Sequence, residues 1–393
     1  MTRPWLVLAL AVLPCGARPL PAQSDGPPRV PADSVRIVTS DIPNFWRAWD
    51  RAQGRDSAAR VRAFEELYLR PGSPGLRDWT RVRLMEWKPV RARMVAAGWS
   101  GEWLDSVRRA PRDTPGRDSL ERVIVPFARQ SGAEALVQAI ARAPRYYADI
   151  RARTLAVDTA RQVTAEIRRG LRRLDSLHPG ARFPHVYFLI GTLSTGGTVG
   201  PHGLLIGTEQ YGGGPATPRD ELPGFFAEIL ASHTFEKLPG LVVHEAVHSL
   251  QPERRPATLL EAVLHEGVAD FVSELAVGPW HGDTPRQRWG RAHEREVWLD
   301  FRDEMRTPPD STMRTWMYNG MVPAPANHGA LDIGYWVGYA IAKAYWERAG
   351  GNGQRTALRE LILLPDAERL LRESGYDERW GAGAGASAGG SRR

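Results

Sequence analysis

Apolar residues in the first half of the chain recur every three or four positions. Thr39-Ser40-Asp41 offers a helix cap, and Phe45, Trp46 and Trp49 follow at helical spacing. Arg60–Leu69 repeats the pattern until Pro71-Gly72-Ser73-Pro74-Gly75 breaks it. Further amphipathic stretches cover 78–97, 118–142 and 144–176, the last carrying Ile150, Leu155, Val163, Ile167 and Leu171. The tryptophans of this half (Trp46, Trp49, Trp79, Trp87, Trp99, Trp103) read as core packing rather than a sugar-binding platform. The period then changes. His185–Ile190 and Gly203–Thr208 are short strand-like runs around a Gly-rich loop, and helical spacing returns over 241–251 and 258–277. Trp298–Met305 and Gly334–Arg348 read as later helices. The pattern predicts a predominantly helical α+β protein with a small sheet.

The ends behave differently. Arg3 precedes the apolar run Trp5–Leu13, then Pro14, small residues and Gln23-Ser24-Asp25-Gly26. That order is a secretory signal over 1–23, too short to span a bilayer as an anchor. Val12-Leu13-Pro14-Cys15 loosely resembles a lipobox, so a lipid anchor at Cys15 is the alternative to simple cleavage. Residues 24–37 read as a Pro-rich linker, 38–180 as a helical region, 181–375 as the catalytic part and 376–393 as a disordered tail. No later apolar run approaches membrane length, so an exported chain, periplasmic, secreted or tethered, is expected.

Composition adds limits rather than a function. With 393 residues, 42% hydrophobic and 25% charged, the chain is globular and long enough for a large core. Its single Cys excludes an intrachain disulfide. The net charge of +7 is spread among acids without a basic block, so nucleic acid is not an expected partner.

The chemistry concentrates in Leu241–Leu250, LVVHEAVHSL. On a helix His244 and His248 share a face and can reach one ion, while Glu245 stands beside it and can take a proton from an attacking water. A catalytic zinc wants a third protein ligand. Glu266, eighteen residues after His248 in Leu264-His265-Glu266-Gly267-Val268-Ala269-Asp270, is the candidate. Asp270, four residues on, can accept the outer N–H of a ligating His, and Gly267 lets the two helices approach closely. His265 points away from Glu266 and reads as a neighbour of the site or a surface group; Glu261 reads as a solvated helix charge.

His244-Glu245-x-x-His248 with Glu266-Gly-x-Ala-Asp270 resembles the gluzincin metallopeptidases, the thermolysin-like zinc enzymes. More closely, the chain resembles a bacterial family of predicted zinc-dependent proteases related to gliding-motility-associated lipoproteins. Thr39–Trp46, Tyr68-Leu69 with Gly72–Leu76, Gly196-Gly197-Thr198, Gly207-Thr208-Glu209 and Gly334–Tyr339 carry that similarity over most of 38–350. The resemblance implies a zincin-like fold, a Zn²⁺ on His244, His248 and Glu266, and Glu245 as general base.

Hydrolysis also needs a donor for the developing oxyanion. Tyr318, His328, Tyr335 and Tyr339 are the available groups; Tyr335 is preferred and His328 is next. By fold analogy, the run Gly203–Thr208 is expected to present an edge strand to an extended peptide. The expected function is an exported zinc metallopeptidase acting on peptide or protein. The alternatives are a zinc-binding envelope protein without turnover and a zinc hydrolase of ester, non-peptide amide or sugar bonds.

Overall fold

The computed structural model describes residues 26–109, 117–159, 161–309, 313–319 and 329–380. The signal segment with Cys15, His328 and the tail from Gly381 lie outside the described residues.

The sheet is built around the apolar run that follows the long helical half. Five strands compose it: β1 (Arg29–Val30), β2 (Ile37–Val38), β3 (Phe183–Leu189), β4 (Gly197–Gly200) and β5 (Gly203–Gly207). β3 pairs in parallel with β2 and β5 and antiparallel with β1, and β4 pairs antiparallel with β5. The sheet is therefore small and mixed, inside a predominantly helical α+β chain. β1 and β2 occupy successive stretches of one edge of β3, so the described part of the stretch read as a linker is tied to the sheet. Two-residue strands carry no alternation, and among prolines they read as connection.

β5 was the expected edge strand, and the pairing corrects this. It lies between β3 and β4 with every residue buried, so both of its backbone edges are taken. The outer strand is β4, inside the stretch read as a Gly-rich loop.

Helices cover the sheet. Arg161–Leu177 and Leu238–Leu250 pack together, and Gly170 lets them close: a Cβ there would stand 2.7 Å from Val243 Cγ2. Leu259–Val277 packs on both and on Ile333–Leu363, which bends at Gly350 and Gly351. One apolar core runs from Phe45, Trp46 and Trp79 through the sheet to Leu361, so it does not break at 180. A smaller cluster around Val90, Met94, Leu104 and Ile124 gathers Trp87, Trp99 and Trp103 on its flank. At the far end, Tyr376 is buried against Trp298, and Asp377–Trp380 forms a helical turn. Packing thus continues past 375, where the tail was expected to begin. Among the described residues no helix is long and apolar enough to cross a membrane.

Candidate metal centre

Leu238–Leu250 begins with Pro239 in its first turn and is buried on nearly all sides, wedged between the sheet and its neighbouring helices. Such burial forces its polar side chains to find partners within the protein. Leu259–Val277 starts at Thr258, whose hydroxyl accepts the Glu261 N–H. Glu261 in turn accepts the Ala257 N–H at 2.8 Å, so it caps the helix rather than standing as a free charge.

The two helices bring His244, His248 and Glu266 together. The two Nε2 atoms are 3.0 Å apart, and Glu266 Oε2 lies 3.1 Å from His248 Nε2 and 3.4 Å from His244 Nε2. Ligands about 2.0–2.1 Å from a tetrahedral zinc stand about 3.3–3.4 Å from one another, so the triangle has the right size.

The tautomers can be worked out from the surrounding bonds. Gln251 Nε2 donates to the His265 carbonyl at 2.8 Å, which turns Gln251 Oε1 toward His248 Nδ1 at 2.7 Å. An amide oxygen only accepts, so His248 carries its proton on Nδ1. His244 Nδ1 faces Asp270 Oδ1 at 2.9 Å, and an ionised carboxylate there favours the proton on Nδ1. With both rings neutral, each Nε2 lone pair would point at the other ring and at a carboxylate oxygen. Three electron pairs would then converge inside a buried site, an arrangement that could hold a shared metal ion.

In the metal-free protein the neighbouring carboxylates draw protons onto these rings, protons that a bound metal ion would have to displace. Burial opposes charge on His244, but Asp270 and Glu266 outweigh it and carry the ring up to about 10. His248 is raised as well, against burial, chiefly by Glu266. Burial would lift Glu266, yet the two imidazoles hold it well below the carboxylate range. Asp270, fully buried, is held low by Arg286, whose Nη2 donates to its Oδ2 at 3.0 Å, and by His281.

Glu245 stands beside the triangle. Its carboxylate lies so close to β4 that a Cβ on Gly197 would come within 2.5 Å of Oε1. Burial raises its pKa, and the two histidines pull against that rise.

These groups open into a cavity of about 1310 Å³, walled by β4, both site helices, Tyr211, Arg286, Tyr318 and Tyr335. The expected oxyanion donors separate here. Tyr318, half-exposed and with positive φ, donates its hydroxyl to Glu266 Oε1 at 2.6 Å. Tyr335 lines the same wall, its ring 6.1 Å from that of Tyr318 and covered by the Arg286 guanidinium at 4.4 Å. Tyr339 turns away and donates to Glu274. His265 stacks on His248 at 4.7 Å, and burial lowers its pKa to about 4. Gly267 does not serve the contact between the site helices. A Cβ there would strike the Gly338 backbone at 2.1 Å, so its close approach is to the later helix.

Gln251 and Arg286 escaped the sequence reading. Gln251 had a signal, since it lies three residues after His248 at the helix end. Arg286, sixteen residues beyond Asp270, had none.

Against this geometry, the family model described as gliding motility protein GldB matches residues 135–378, more than half of the chain. The chain belongs to that family. The matched span holds β3, β4, β5, both site helices, Tyr318 and Tyr335, while the Thr39–Trp46 and Gly72–Leu76 segments precede it. No curated protein and no solved structure matches the chain.

Proposed function

We propose that the chain is an exported zinc metallopeptidase of the cell envelope, with the zincin-like arrangement that its helix pair resembles. The observation that carries this reading is the convergence of His244 Nε2, His248 Nε2 and Glu266 Oε2 beside the buried carboxylate of Glu245. The envelope location rests on the gliding-motility family and on the N-terminal signal pattern.

His244, His248 and Glu266 would hold the ion, and zinc bound there supplies Lewis-acid polarisation of the water and of the attacked carbonyl. The protein's own groups do the rest. Glu245 takes the proton of the attacking water and returns it to the leaving amine, a role its raised pKa suits. Asp270, fixed by Arg286, holds His244 in the tautomer that frees Nε2. Gln251 does the same for His248. Tyr318 donates to the outer oxygen of Glu266 and lines the cavity; turned from that carboxylate, the same O–H would meet the oxyanion, which makes Tyr318 rather than Tyr335 the first choice of donor. Among the described residues β4 pairs only with β5 and lines the cavity, so its outer edge could receive a peptide main chain.

The test is Glu245→Gln. With zinc loaded, it should retain the metal and lose about 10³-fold or more in peptide cleavage. Comparable turnover by the variant would sink the mechanism.

A further inference from the structure

Arginines on much of this surface sit against a carboxylate: Arg91 on Asp105, Arg151 on Asp50, Arg172 on Asp33, Arg306 on Glu368. Those lining the cavity do not. Among the described residues only Arg286 is paired with a carboxylate there, and it is committed to Asp270. Arg254 and Arg288 donate to the main-chain carbonyls of Leu364 and Asp283. Arg29, Arg83 and Arg255 are exposed on the cavity wall, with no ion pair or side-chain hydrogen bond among the described residues. Glu228 and Glu253 are the exposed carboxylates of the same wall, and neither meets these arginines.

Unpaired guanidinium groups in a concave, partly desolvated wall attract anions more strongly than the same groups on a convex surface. Guanidinium also matches the planar fork of a carboxylate. Arg83, on the helical turn Thr80–Leu84, lines the same cavity as Glu245. An anion held there would share the cavity with the reacting groups. A flat bilayer surface does not enter a cavity of about 1310 Å³, whereas a side chain or a chain terminus does.

We infer that the cavity selects peptides bearing a carboxylate within a residue or two of the reacting bond, and that Arg83 and Arg255 receive it. This deepens the peptidase reading and rests on it.

The experiment pairs cleavage with binding. Peptides differing only as Glu or Gln at one position, each with a free or an amidated C-terminus, are given to the zinc-loaded protein. The same peptides, fluorescently labelled, are titrated into Glu245→Gln protein. A carboxylate should raise kcat/KM about tenfold at low salt and lose that advantage as salt is added. The Glu/Gln arm reads a side-chain carboxylate and the amidation arm reads a terminal one. In the Arg83→Gln, Arg255→Gln double variant the preference should collapse, through KM. Equal handling of all four peptides by the unmodified protein would overturn the inference while leaving the peptidase reading intact. Preferential binding without cleavage of any peptide would keep the anion site and remove the peptidase. No peptide preference, together with loss of binding to phosphatidylglycerol vesicles in the double variant, would assign these arginines to a membrane and overturn the inference.

Discussion

Gln251 Oε1 accepts the Nδ1–H of His248 at 2.7 Å, while its amide nitrogen donates to the His265 carbonyl. One side chain thereby sets the ring tautomer that leaves His248 Nε2 free to ligate. Gln251→Leu should fold normally and weaken zinc about 10- to 100-fold, as outer partners of ligating histidines generally do. A chelator competition titration reads this directly. An unchanged affinity would mean that the ring orientation is set by packing on His265 instead.

Tyr318 and Tyr335 share a wall, but of the two, Tyr318 hydrogen-bonds the Glu266 carboxylate. Tyr318→Phe should lower kcat about 100-fold with zinc content near that of the unmodified protein. Tyr335→Phe should cost far less. The reverse ranking in steady-state kinetics would return the oxyanion role to Tyr335.

Gly267 and Gly338 touch backbone to backbone. A Cβ on Gly338 would lie 1.9 Å from the Val263 carbonyl oxygen, and one on Gly267 would be as badly placed. No side-chain rotation relieves a clash with main chain, so Gly267→Ala should destabilise the fold by about 3 kcal/mol or more. Thermal unfolding of the zinc-free protein separates this loss from any metal effect. A Tm within a degree or two of the unmodified protein would show that the helices part easily.

Glu209 is buried near β3 and β5, accepts the Leu193 N–H, and is pushed up to about 7 by burial. Its folded pKa lies above the unfolded value of 4.5, so between about pH 4.5 and 7 the folded state holds a proton that the unfolded state has released. Stability from this group is complete below that window and is lost as pH rises through it, by about 3 kcal/mol. Denaturant titrations from pH 5 to 8 should show the fall in the unmodified protein and a flatter profile in Glu209→Gln. Parallel profiles would mean that Glu209 does not titrate in this range.

Much of the site was legible because helical spacing is a strong constraint. His244 and His248 four apart, and Glu266 and Asp270 four apart on the next helix, can only face one way once both helices are buried. What escaped lies where periodicity ends. β4 is four residues long and glycine at both ends, so it read as loop, and its partner β5 was mistaken for the edge. β1 and β2 are two residues each and hid in a proline-rich stretch. Gly267 was correctly marked for close contact but assigned the wrong neighbour, since Gly338 lies 71 positions away and nothing local links the two. Arg286 and Tyr318 reach the site from separate segments by tertiary folding alone.

The central claim is that His244, His248 and Glu266 form a zinc site, and the most direct measurement is metal content by elemental analysis after zinc loading and desalting. The account predicts about one zinc per chain in the mature protein, retained in Glu245→Gln and lost in His244→Ala and Glu266→Ala. Well-folded protein that keeps no zinc, or a His244→Ala variant that keeps it, would contradict the account.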